Sequence, residues 1–293
     1  MILHHVAQRM FNTPLLIHPA KAEIIVAALA PRLGVSELRG ADGAMFALAD
    51  IETPMGPPVR RTEGYDVIGG VAVIEVRGTL VQRNGGSLRP YSGMTGYDGI
   101  RENLDAAVHD PEVRAIAFDI DSPGGEVAGC FDLVDAIAEA REIKTLWAIL
   151  DEHAYSAAYA IASACNHITV PRTGGAGSIG VITMHADISK ALSGAGIKVT
   201  IITHGARKAD GASEIPLSDE ARDRIQTDID TLGELFIDTV AQNRALAPSK
   251  VRDMQAGTFL GEKAVAAGLA DDVAAPDVAL AALLDTITKE IDP

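Results

Sequence analysis

From Tyr65 onward the chain alternates short β-branched runs with helical stretches, and this alternation limits the fold more than any other feature. The runs fall at 71–76, 115–120, 146–150, 168–170, 179–182 and 199–202, with helical stretches at 99–108, 130–142 and 156–164. Strands alternating with helices predict βαβ connections and a mostly parallel sheet, hence an α/β core. A longer helix is expected after Ser218, an N-cap followed by Asp219 and Glu220 in the first turn. In it Ile225, Ile229, Leu232, Phe236 and Val240 form one apolar stripe, suited to a core or to a subunit interface.

Outside this pattern the chain changes character. Residues 1–65 read as an N-terminal extension, with a helix at 20–33 carrying Ile24, Ala27 and Ala28 on one face and a Pro/Gly linker at 53–58. Residues 66–275 form the core, and 276–293 a terminal helix. The longest early apolar run, 24–30, is far short of the roughly 20 residues of a membrane span, and no basic region precedes a sustained apolar stretch. A cytoplasmic chain without a membrane segment is expected. Asp and Glu (40) outnumber Lys and Arg (25), a net charge of −15 that repels phosphate backbones and argues against nucleic acid as a partner. Cys130 and Cys165 are the only cysteines, too few for a disulfide framework or a four-cysteine zinc module. Neither a metal nor a cofactor is expected.

Two turns can carry chemistry. Asp119-Ile-Asp-Ser-Pro-Gly-Gly125 follows an apolar run and leads toward a helix. Such a turn leaves backbone N–H groups at the sheet edge, where they can hold an anionic oxygen or simply reverse the chain. Asp151-Glu-His-Ala-Tyr-Ser-Ala-Ala-Tyr159 joins a strand to a helix of small residues opening at Ser156. A serine there is either a plain N-cap or a nucleophile with the Ala157 amide beside it as half of an oxyanion hole. Candidate bases are His153, His185 and Lys208. A lysine serves only when desolvation or nearby positive charge favours its neutral form.

Together, Ser122-Pro-Gly-Gly125, Tyr155-Ser-Ala-Ala-Tyr159, Thr173-Gly-Gly-Ala-Gly-Ser-Ile-Gly-Val181 and Gly205-Ala-Arg-Lys208 resemble the motifs of the S49 serine peptidases, the signal peptide peptidase A family. Their order and spacing match, and 257–271 is similar to that family's closing segment. The resemblance implies a Clp-protease/crotonase-like fold of repeated β-β-α units. It also implies Ser156 as nucleophile, Lys208 as general base, Ser178 as the serine that orients the lysine, and Gly124, Gly125 and Ala157 as the oxyanion hole. His185, in Met184-His-Ala-Asp187, is the alternative base, as in Ser-His-Asp relatives of that fold. One departure concerns the nucleophile, where the family commonly has Ser-Gly-Gly and this chain has Ser156-Ala157-Ala158; the two methyls are expected to narrow the approach.

The wording of 180–192 is most similar to the head-maturation proteases of phages and prophages, the capsid protein C type. That likeness implies a Ser-Lys endopeptidase processing scaffold or capsid proteins, in the host cytoplasm or inside a prohead, as a homo-oligomer. Two other classes share these features: a catalytically silent capsid-assembly protein using the core as an oligomeric platform, and a crotonase-type acyl-CoA enzyme.

Overall fold

The computed structural model describes residues 13–19, 21–22, 37–39, 45–47, 64–83 and 93–289. The strands are β1 (Leu15–Ile17), β2 (Glu37–Arg39), β3 (Met45–Ala47), β4 (Asp66–Ile68), β5 (Val71–Arg77), β6 (Thr79–Val81), β7 (Met94–Gly96), β8 (Ala115–Ser122), β9 (Gly124–Glu126), β10 (Thr145–Tyr155), β11 (His167–Val170), β12 (Gly175–Gly177), β13 (Thr258–Leu260) and β14 (Asp272–Val273). The helices are α1 (Tyr97–His109), α2 (Cys130–Ala140), α3 (Ala157–Ser163), α4 (Ser189–Gly194), α5 (Asp219–Asn243), α6 (Pro248–Asp253), α7 (Glu262–Ala267) and α8 (Pro276–Lys289).

The backbone of the molecule is the parallel trio β5-β8-β10, extended by β11 and β12 on the far side of β10. Side-chain alternation sorts these strands into two faces. Ala72, Ile74, Val76, Ile116, Phe118, Ile120, Leu146, Ala148 and Leu150 join the main core, which includes buried residues of α1, α2, α3 and α5. Val71, Ala115, Ala117 and Ile149 face the other way and are covered by Ala279, Leu283 and Ile287 of α8. A parallel sheet needs both faces covered, and the terminal helix supplies the second cover.

A smaller sheet, ordered β1-β9-β6-β7, stands beside the large one. The chain enters it twice by the same route. β5 in the large sheet passes to β6 and β7 in the small one and then to α1, and β8 passes to β9 and then to α2. The result is a repeated unit of large-sheet strand, small-sheet strand and helix, as the repeated β-β-α expectation has it. α1 buries Ile100, Leu104 and Ala107, and α2 buries Leu133, Val134, Ile137 and Ala140, each as one apolar stripe. α3 is buried on every side, in keeping with its apolar, mostly small residues Ala-Ala-Tyr-Ala-Ile-Ala-Ser. No helix of the described residues is long and apolar enough to cross a membrane.

Two expected strands are absent. Of 179–182 only Ile182 pairs, in an isolated antiparallel bridge to Leu15. The run 199–202 forms no strand: Val199, Ile201 and Ile202 are exposed, and a strand without a neighbouring ladder leaves its backbone unpaired. The helix expected at 20–33 lies outside the described residues except for Lys21 and Ala22, whose N–H groups donate to His18 O (2.9 and 3.2 Å); the linker at 53–58 lies wholly outside them. α5 is capped as expected, Ser218 Oγ accepting the Ala221 N–H. Its stripe is only partly sunk: Phe236 and Val240 are buried, whereas Ile225, Ile229 and Leu232 are half-buried.

Beyond α5, Arg244 ties the helix to the closing segment. Its guanidinium is 9% exposed and forks onto Asp271 (2.7 and 3.1 Å) while also donating to Gly268 O. Burial pushes the Asp271 carboxyl up, but Arg244 and the Ile168 N–H outweigh it and hold it below the ordinary carboxylate value. A lowered folded-state value stabilises in full above about pH 4 and ceases to do so as pH falls through that lowered value. Arg244→Met is expected to cost about 2 kcal/mol at pH 7, less than a fully buried pair because Asp271 stays partly hydrated. The gap to wild type should narrow at pH 3. Urea unfolding at both pH values checks this, and a gap that widens in acid would contradict it.

Candidate active site

Three strands of the large sheet end side by side, and the expected site residues follow directly from their ends. β8 leads to Gly124 and Gly125, β10 to Ser156 and β12 to Ser178. The register pairs Ala154 with Ser122 and Tyr155 with Gly177, so the three turns are neighbours. The carboxyl ends of parallel strands are where α/β sheets present binding groups.

Ser156 is 1% exposed and has φ 57° and ψ −120°, a conformation costly for any residue with a Cβ. It is pinned from both sides: its N–H donates to Gly177 O (2.8 Å), and its carbonyl accepts the Ala160 N–H (3.0 Å). The hydroxyl does not cap α3. A helix-capping role is therefore excluded, and what remains is a strained serine at a sharp strand-to-helix turn. Ala157 is the first residue of α3, so its N–H has no acceptor within the helix. Ala157 and Ala158 are fully buried in the main core, so their methyls are packing groups of the helix.

The Gly-Gly turn is held from behind. Ser122 Oγ donates to Gly78 O (2.7 Å) and accepts the Gly124 N–H (3.2 Å). That commits the Gly124 N–H to the turn, while the Gly125 N–H faces the neighbouring strand β1 and the Ala157 N–H opens α3. Neither glycine tolerates a side chain. A Cβ on Gly124 would overlap Leu16 O and stand 2.9 Å from both Ser156 Cβ and Tyr155 O. One on Gly125 would overlap Leu80 O, with Leu80 C and N at 2.5 and 2.6 Å.

Ser178 is buried, also at positive φ (56°), and its N–H donates to Gly257 O (2.9 Å). Lys208 makes no hydrogen bond to this cluster. It is exposed in a turn, and its side chain makes no hydrogen bond or ion pair among the described residues. His185 lies on the α5 side, lining a pocket with Thr183, Leu217, Arg222 and Ile225. No hydrogen bond joins Ser156 to Lys208 or His185 among the described residues. Asp187 Oδ1 accepts the Ser189 N–H (2.8 Å) ahead of α4, and the Ser189 hydroxyl, together with that N–H, holds its carboxyl low. His153 stacks on Tyr155 (5.2 Å) and faces Asp121 at 3.8 Å. Nearby, Arg77 bridges Asp119 and Asp151, yet burial keeps the Asp119 carboxyl above its usual value.

One participant went unanticipated. β1 runs antiparallel to β9, pairing Leu15 with Glu126, Leu16 with Gly125 and Ile17 with Gly124. Three apolar residues within an extension read as helical carry no local signal for a partner more than 100 residues away. Ser122 was also missed as the support of the turn, although its place two residues before Gly124 is a common position for a turn-stabilising hydroxyl.

The family model of Peptidase family S49 matches residues 138–288, more than half of the chain, including Ser156, Ser178 and Lys208. The chain belongs to Peptidase family S49. Among S49-type relatives, Capsid assembly protease C of Escherichia phage lambda is 38% identical over 97% of this chain and 66% of its own length. Head-tail preconnector protein GP5 of Enterobacteria phage P21 is 38% identical over 99% of this chain and 58% of its own. Protease 4 of Haemophilus influenzae is 26% identical over 73% of this chain and 34% of its own. The chain thus spans less than two thirds of the length of each.

Proposed function

We propose that the chain is a serine endopeptidase in which Ser156 attacks the scissile carbonyl, the Gly125 and Ala157 N–H groups hold the resulting oxyanion, and Lys208, oriented by Ser178, takes the proton. The observation that carries this reading is the strained, buried Ser156, held between the ends of two strands with its hydroxyl free of the helix it opens. Strain of this kind persists only where the surroundings over-determine it, and it gathers at reactive positions. The names of the phage relatives support capsid or scaffold proteins as substrates during head assembly.

Lys208 reaches Ser156 in this reading only through assembly. The segment around it is open: Ile197, Val199, Ile201 and Ile202 are all exposed, Ile202 at 92%. Apolar residues clustered at a surface mark an interaction site, and a second copy of the chain is the partner that symmetric self-association supplies. Burial against it would desolvate the lysine as a general base requires. Sedimentation should give a multiple of 30.6 kDa for the active species. Lys208→Arg, which keeps the charge but cannot yield its proton, should abolish cleavage, and His185→Ala should retain it. Full activity at the mass of one chain, or in Lys208→Arg, would overturn this assignment.

A further inference from the structure

The groove beside Ser156 already holds a piece of its own chain. Residues 13–18 lie extended between two backbone edges. On one side His18 N–H donates to Pro123 O (2.7 Å) and Val127 N–H to Pro14 O (3.4 Å). Hydrogen-bonded pairs alternate along an antiparallel ladder, so Leu16 and Gly125 form the bonded pair between them. On the other side Leu15 and Ile182 exchange both backbone bonds, at 2.8 and 3.0 Å, and Thr183 Oγ1 donates to Thr13 O (3.3 Å).

The register places the Leu16 carbonyl at the Gly125 N–H, and a Cβ on Gly124 would meet both Leu16 O and Ser156 Cβ. The Leu16 side chain is fully buried in the main core, and Leu15 and Ile17 are nearly so. Past the nucleophile, the His18 ring stacks on Tyr155 at 5.0 Å. Burial, reinforced by His153, holds that imidazole below its usual value, as expected of a ring packed into the groove.

We propose that residues 13–18 fill the cleft in which this enzyme binds extended peptide substrates, with Leu16 in the position immediately N-terminal to the scissile bond. This rests on Ser156 as the reactive centre. The chain blocks its own site and displays the class of ligand the site takes: an extended apolar segment, paired on both edges, with a bulky aliphatic side chain at the residue whose carbonyl meets Gly125. An external peptide must displace a strand that belongs to the same chain, so it competes against an intramolecular partner.

The test uses the full chain carrying Ser156→Ala, which cannot turn over, and a fluorescent hexapeptide Thr-Pro-Leu-Leu-Ile-His titrated by anisotropy. Adding Leu16→Arg, which drives a charge out of the buried position, is expected to tighten peptide binding at least tenfold. The same peptide with Arg in place of its second Leu should bind neither protein. Leu15→Pro, which removes the N–H donated to Ile182 O, serves as a second opening variant should Leu16→Arg fail to fold by circular dichroism. Equal affinity in the parent and in a folded opening variant overturns the proposal. Fluorophosphonate labelling of the Ser156-bearing chains separates the two readings. Tighter peptide binding in the opened chains without labelling would support the cleft assignment and count against Ser156 as nucleophile. Equal labelling of wild type and Leu16→Arg, with no gain in peptide binding, would sink the self-blocked cleft and leave the nucleophile standing.

Discussion

Ser156→Ala is expected to lower peptide cleavage on the order of 10⁴-fold or more, leaving only what binding and the oxyanion donors supply. Ser156→Gly should be as inactive, yet the two variants should differ in stability. At φ 57° and ψ −120° a residue with a Cβ carries strain of about 1–3 kcal/mol. Alanine keeps that strain. Glycine removes it and returns roughly 0.5–1 kcal/mol through its greater freedom in the unfolded chain. The glycine variant should therefore exceed the alanine variant by about 1 kcal/mol in urea unfolding. An alanine variant as stable as the glycine one would mean that the turn at Ser156 is not strained, and the argument for a reactive serine would lose its support.

Gly125→Ala is the second large effect. The atoms nearest its Cβ would be Leu80 backbone atoms, none of which can swing aside as a flexible side chain would. β9 would have to part from β6, moving the Gly125 N–H away from its place next to Ser156. Overpacking against backbone costs about 3 kcal/mol or more, and loss of one oxyanion donor about 10²–10³ in turnover. Gly233→Ala is the matched control. Gly233 lies within α5 with nothing near its Cβ position, and alanine there should add about 0.5–1 kcal/mol without touching activity. Thermal melts and peptide turnover on the two variants give the comparison, and an active, stable Gly125→Ala would remove Gly125 from the site.

The central strands were legible because each is buried on both faces and so reads as a nearly continuous apolar run, as in Ala115–Ser122. The same pattern misled at 199–202, where β-branched residues occur with no edge to pair with among the described residues. Ser156 stood out as the first residue of a small-residue helix, but its strain and its free hydroxyl are properties of the folded turn. A capping serine and a reactive one have the same letter in the same place. A role for Lys208 was equally out of reach, because it lies in an exposed turn whose surroundings no local pattern specifies. β1 escaped notice for a third reason: its partners, Gly124–Glu126 and Ile182, are remote in sequence, and a pairing of that range leaves no trace in three apolar residues.

The pairing of β1 on both edges has a consequence for how any chain moves through the groove. Side chains in an extended strand repeat every two residues, so a one-residue shift would turn the buried side chain outward and break the ladders on both sides. A chain that slides without turning about its own axis is therefore repositioned two residues at a time. In the proposed cleft, successive cuts made without release of the substrate should therefore be spaced by two residues.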